Sequence, residues 1–399
     1  EAQAVLSFQT PSGGWSKRTD MRIARQTGQQ FGSEPNYVPT FDNDATSTQL
    51  QWLADFYPQA TPQLQQDIAQ AIERGITLVL SAQYPNGGFP QSYPLRGSYH
   101  DAITLNDHAL YQLMQLLWQV ANEPRFAMLA SSTKTEAAAA FYRAVDWLLA
   151  NQVMVNGKRT VWGAQHHPLT GEPVTARKYE KAALVSSESA KILQLLLRYA
   201  PDYPGVAQSL AEAANWLRDK QISDKDRYRD SEGRLSLIDS PGKVIWARFY
   251  DLKTGQPVFF DRDGQTYSDV SRVSLERQRG YGWYQSVAAE FLAEYDQAAA
   301  DKHCTNFGLD TPGGAGGAVT GAGAGAMATG AGGGASRVTV IDGAGGGLAT
   351  WISGGGTNDG GGSATLGGGG RFSGGGGGGG LTSSMIFVSI GALITSTIL

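Results

Sequence analysis

Apolar residues recur every three or four positions through five long stretches: "QQDIAQAIERGITLVLSAQ", "NDHALYQLMQLLWQVANE", "TEAAAAFYRAVDWLLANQ", "SESAKILQLLLRYA" and "VAQSLAEAANWLRDKQ". That spacing gathers the apolar side chains on one face of a helix. Asp, Ser or Thr recurs at the starts and Gly or Pro at the ends, the residues that cap and stop helices. Before about Leu235 no stretch alternates apolar and polar residues convincingly, so strand is expected to be sparse.

The helical segments repeat. "SFQTPSGGW" (Ser7 to Trp15) and "SAQYPNGGFP" (Ser81 to Pro90) share the pattern Ser-x-Gln-x-Pro-x-Gly-Gly-aromatic. A weaker copy follows "DWLLANQ" and reaches Trp162 and Gly163, and a fourth begins in "NWLRDKQ". The aligned glutamines Gln9, Gln83, Gln152 and Gln221 are 74, 69 and 69 residues apart. A period of about 70 residues accommodates two helices and two connections. The fold class expected is therefore all-α: an (α/α) toroid of repeated helical hairpins, with irregular loops and little strand forming a cleft at one end.

Composition divides the chain. Of 52 glycines, 34 lie between Gly308 and Gly391, which separates a folded region over 1–300 from a Gly/Ala-rich tail over 301–399. Such a tail buries too little apolar surface to offset its ordering entropy. It closes on "MIFVSIGALITSTIL", an uncharged run of 15 residues, short of the ~20 needed to span a bilayer. It reads as a non-catalytic appendage, either a surface anchor or the product of a shifted reading frame. The formal net charge of −4 argues against bulk attraction to nucleic acid or to an anionic membrane. One cysteine, Cys304, excludes an intramolecular disulfide framework. The start at Glu1, without Met or a hydrophobic leader, reads as a trimmed N-terminus compatible with secretion. Nothing suggests a protein partner, and a monomer is expected.

Candidate chemistry concentrates in two places. Arg248, Arg262, Arg272, Arg277 and Arg279 fall within one segment, among Trp246, Phe249, Tyr250, Tyr281, Trp283 and Tyr284. Arginine grips carboxylates bidentately, so this segment suits an anionic ligand as well as it suits structural ion pairs. Acids lie elsewhere: Asp42 and Asp44 in "FDNDATSTQL", Asp101 and Asp107 in "SYHDAITLND". Oxygen ligands from separated loops suit calcium. The competing reading is helix capping, and Asp44 and Asp107 each stand where an N-cap belongs. The histidines show no zinc spacing, and no P-loop, G-x-S-x-G or Rossmann glycine pattern precedes a helix in the folded region.

"FDNDAT", "NGGFPQSYPLRGSYHDAITLNDHA", "ARKYEKAALVSSESA", "WARFYDLKTGQPVFFDRDG" and "ERQRGYGWY" together resemble family 10 polysaccharide lyases, pectate lyases with an (α/α) toroid. The likeness runs in order from about Leu6 to Gln297 and stops before the tail. It implies calcium-assisted anti β-elimination of polygalacturonate. Arg262 would take the C5 proton, and Arg177, Arg248 and Arg277 would hold substrate carboxylates. Asp42 and Asn43 would border the calcium–substrate site, Asp101 or Asp107 would be a further acidic ligand, and Lys181 an extra contact. Asp44 would cap its helix. The rivals are a toroidal glycoside hydrolase using Asp42 and Asp107 as its carboxylate pair, and a pectin-binding protein without turnover.

Overall fold

The computed structural model describes residues 1–32 and 39–306. Its helices are α1 (Ala2–Ser7), α2 (Ser47–Phe56), α3 (Pro62–Ala82), α4 (Ala109–Asn122), α5 (Ser131–Ala150), α6 (Ser186–Tyr199), α7 (Val206–Asp219), α8 (Leu275–Gly280) and α9 (Val287–Asn306). The inner helices α2, α4, α6 and α9 pack one on the next, and the outer helices α1, α3 and α5 follow them around. This is the all-α toroid of helical hairpins that the periodicity predicts. The core lies between the two layers: Leu110, Leu113, Met114, Leu116 and Leu117 of α4 are fully buried, as are Ile68, Ile72, Ile76 and Val79 of α3. Each such side chain contributes roughly 1.5–3 kcal/mol by leaving water.

The repeated glutamine has a structural job. Gln9 Nε2 donates to the carbonyls of Gly13 (2.7 Å) and Ala71 (2.8 Å), and Gln83 Nε2 to those of Gly87 (3.0 Å) and Ala140 (2.8 Å). Gln152 Nε2 donates to Thr160 (2.7 Å) and Ser209 (3.2 Å). Each amide thus closes its own loop and fastens it to the following outer helix. The Gly-Gly pair allows the approach: Gly87 has φ +99°, and a Cβ there would stand 2.0 Å from the Arg143 carbonyl oxygen. Gln221 breaks the series, donating to Ser223 Oγ at 3.1 Å, because the chain there enters a strand.

That strand was not expected. Ile222–Arg229 pairs antiparallel with Leu235–Ala247, from Ile222 opposite Ile245 to Arg229 opposite Leu235. The first of the two strands buries no residue fully, so it carries no alternating apolar signal. Its arginines latch it to the segment bearing Arg277: Arg229 donates to the carbonyls of Gln278 (3.0 Å) and Tyr281 (2.9 Å), and Arg227 to that of Tyr284 (2.8 Å). Helix α9 continues to Asn306, past the division read at residue 300. The rest of the Gly/Ala-rich tail, with its hydrophobic run, lies outside the described residues. Among the described residues no helix is long and apolar enough to cross a membrane.

Candidate active site

Two short turns at the N-terminal ends of inner helices face each other. Asp42–Asp44 precedes α2, Asn106–His108 precedes α4, and the turns pack together. Both carry consecutive left-handed residues, Asn43 and Asp44 (φ +51° and +59°) and Asp107 and His108 (φ +51° and +62°), conformations that Asn, Asp and His tolerate better than other side chains. The strain is a few kcal/mol in total and fixes where the side chains point.

Asp42 is 4% exposed. Its Oδ2 accepts from Lys17 Nζ at 2.6 Å, while Oδ1 is buried and has no hydrogen-bond partner. Burial and the neighbouring Asp107 push its carboxyl above the usual range, against the pull of Lys17. Asp44 does not cap α2. Thr46 holds that position, and Gln49 Oε1 accepts its amide at 2.7 Å. The Asp44 carboxyl is instead half-buried and shifted up by burial, with His108 opposing. Asp107 is not the cap of α4 either; His108 stands there.

The structure separates the two further acids. Asp101 spends its carboxylate on its own loop, accepting from the amides of Arg96 (2.8 Å) and Gly97 (2.7 Å). Asp107 belongs with Asp42: its Oδ1 accepts from Arg248 Nη2 at 3.1 Å. Among the described residues no three acidic, His or Cys groups converge as a ready-made metal cage. What Asp42 and Asp107 offer is a partial one: hard oxygen donors, one of them buried and unpartnered, on neighbouring turns. That donor chemistry fits calcium with part of its shell left for a ligand and water.

Arg248 is the anchor of the cationic side. Its amide donates to the Trp283 carbonyl (2.8 Å) and its own carbonyl accepts from Ser186 N (3.0 Å), which pins it at the start of α6. The guanidinium forms a buried ion pair with Glu188, with Nε–Oε1 at 2.9 Å. Burial opposes charge on both partners, but the pairing wins: Glu188 is held below and Arg248 above their ordinary values.

Arg277, buried on α8, faces the rings of Tyr281 (4.1 Å), Trp283 (5.1 Å) and Tyr179 (5.4 Å), and its Nη2 is buried without a hydrogen-bond partner. Arg262 also lies over Tyr179 (4.2 Å) and is held in two bonds to Glu276, at 2.9 and 3.1 Å. That pairing raises the Arg262 pKa above its ordinary value. Arg177 is the third cation on Tyr179 (5.0 Å) and is paired in two bonds with Glu180, which outweighs burial and raises its pKa as well. It also lies 5.9 Å from the Tyr99 ring, on which Lys17 and Asp42 act as neighbouring charges. Lys181 follows on the same loop, half-buried, with no hydrogen bond or ion pair among the described residues.

The arginine segment, the Asp42–Asp107 turns and the Arg177 loop are therefore linked, through Arg248 to Asp107 and through Tyr179 to three guanidiniums. A model of the pectic acid lyase family matches residues 9–292. The chain belongs to the pectic acid lyase family. Two solved structures agree. A family 10 polysaccharide lyase from Cellvibrio cellulosa is 29% identical with a TM-score of 0.67, over 75% of this chain and 91% of that one. An alanine mutant of that organism's family 10 polysaccharide lyase, in complex with trigalacturonic acid, is 28% identical with a TM-score of 0.67, over 74% and 91%. No curated protein sequence matches the chain. As a family member the chain is a pectate lyase, an enzyme that cleaves its polysaccharide by elimination.

Three residues of this lyase site escape a reading by motif. Lys17 follows the Gly-Gly-aromatic loop without any local pattern, and Glu188 looks like an ordinary acid in the first turn of a helix. Tyr179 stood inside the quoted "ARKYEKAAL", yet nothing local says that three guanidiniums meet on it.

Proposed function

We propose that this lyase cleaves α-1,4-polygalacturonate by calcium-assisted anti β-elimination, with an arginine as the base. The observation that carries the reading is the juxtaposition of a cationic cluster, suited to uronate carboxylates, with two carboxylates suited to calcium. Asp42 and Asp107 would hold the metal, with Asn43 beside them. Bound calcium would supply positive charge at the substrate carboxylate, making the C5 proton more acidic. Arg277 and Arg248 would hold uronate carboxylates, Arg277 with its unpartnered Nη2. Arg262 would accept the C5 proton as the C4–O bond breaks and the C4–C5 double bond forms. The Cellvibrio relative solved with trigalacturonic acid supports an oligogalacturonide as ligand.

A second assignment of the base is favoured by position. Arg177 lies 5.9 Å from the Tyr99 ring, and the charges of Lys17 and Asp42 also act on that ring, which supports a place for Arg177 on the acid side of the site. Secretion and a monomeric state complete the proposal.

Mixing the protein with polygalacturonate and calcium at alkaline pH should give a rising ultraviolet absorbance from unsaturated uronide, and a chelator should stop it. Reducing ends without that absorbance would mean hydrolysis, and would make Asp42 and Asp107 a carboxylate pair. Binding with neither would mean a non-catalytic pectin-binding protein.

Tyr179 gives a finer test. Tyr179→Ala removes three cation–π contacts of about 0.5–1 kcal/mol each that hold Arg177, Arg262 and Arg277 in place, and the loosened arginines should raise KM by up to roughly tenfold. Tyr179→Phe keeps the ring and should stay within about threefold. Equal effects of the two variants would show that the hydroxyl, not the ring, organises the arginines.

A further inference from the structure

We infer that Lys17 is a counter-ion built into the cation site: it occupies Asp42 in the resting enzyme and must leave for calcium to bind. The inference rests on the proposed calcium site at Asp42. Lys17 Nζ lies 2.6 Å from Oδ2, and the paired side chains are 24% and 5% exposed. Lys17 is therefore the more exposed partner and the one free to swing away. The other Asp42 oxygen is buried without a hydrogen bond of good geometry and has the Gln91 side chain near the carboxyl, so of the two oxygens only Oδ2 is held by a cation.

Charge explains why such an arrangement is useful. The ion-paired set comprises Asp42, Asp107 and Glu188 against Lys17 and Arg248, which leaves one net negative charge. A divalent cation alone would overshoot to one net positive charge, whereas a divalent cation arriving with a uronate carboxylate brings the set to neutrality. Low-dielectric surroundings make that difference large. Lys17 thereby disfavours calcium without substrate and favours the two together, a reciprocal coupling between metal and sugar. The ammonium already acts on Tyr99 and His100 together with Arg177, so a small swing off Asp42 would keep its charge within the site.

The test is calorimetric titration of calcium into the full chain, with and without trigalacturonate, for wild type, Lys17→Met, Lys17→Arg and Asp42→Asn. Lys17→Met is expected to tighten calcium at least tenfold without sugar and to shrink the enhancement by trigalacturonate. Lys17→Arg, which keeps the charge, should stay near wild type. Lys17→Gln replaces the methionine variant if circular dichroism shows that one unfolded. Unchanged or weaker calcium binding by the folded neutral variant overturns the inference. Should Asp42→Asn bind calcium as wild type does, the calcium assignment itself fails and the inference with it. Loss of binding in Asp42→Asn with no effect at Lys17 removes only the role of Lys17.

Discussion

Arg262→Ala is expected to lower kcat by about 10^2- to 10^4-fold, the usual worth of a general base, with a much smaller change in KM. The pH profile should show the same group. Glu276 holds Arg262 protonated by its two hydrogen bonds, raising its pKa. The neutral, proton-accepting fraction then grows tenfold per pH unit throughout the range a protein tolerates. Activity of wild type should climb steadily into alkaline pH with a slope near one. Glu276→Gln removes the largest raising influence, leaving that of Tyr179, and should shift that climb to lower pH. If Arg262→Ala instead raises KM and leaves kcat nearly intact, while Arg177→Ala abolishes turnover, the base is Arg177 and Arg262 is a carboxylate grip.

The second large effect lies at Glu188, the buried partner of Arg248. Glu188→Ala strands a buried guanidinium, and removing one member of such a pair costs about 3–5 kcal/mol. Denaturant unfolding should show that loss, and activity should fall with it, since Asp107 and Asn106 alone would then hold Arg248. The pH dependence has a definite sign. Because the Glu188 pKa is lowered in the folded state, its stabilisation is complete above the unfolded value of about 4.3 and fades as pH falls through the lower folded value. Wild type should therefore lose stability in that acid range, and the alanine variant should lose less of its own there. Equal acid slopes in the two proteins would show that Glu188 does not titrate with folding.

The hairpins were legible because period and punctuation agree: the apolar stripes of α3 and α4 are the buried stripes. The glutamine repeat was legible as spacing but not as bonds: the acceptors Ala71, Ala140 and Ser209 on successive helices are 69 residues apart each time, whereas the first glutamine step is 74. The ribbon from Ile222 to Ala247 was not anticipated, because its exposed polar first strand has no buried face to write into its sequence. Within the site, the arginines and acids were found by residue type, but their pairing was not. Asp101 and Asp107 look alike in sequence, and only the loop amides on one and Arg248 on the other tell them apart. Asp44 was misread as a cap because a left-handed turn shifts the helix start to Thr46.

The two facing turns read Asp42-Asn43-Asp44 and Asn106-Asp107-His108, with left-handed residues at matching places. Aligned by backbone, acid and amide are transposed: Asp42 corresponds to Asn106, and Asn43 to Asp107. The same scaffold thus turns a carboxylate toward Lys17 on one turn and toward Arg248 on the other. A polarity this lopsided needs no new architecture and no change in overall charge. Exchanging the two adjacent residues in either turn would move a carboxylate along that turn at unchanged charge, so the order of acid and amide, not their number, sets which way the charge of each turn points.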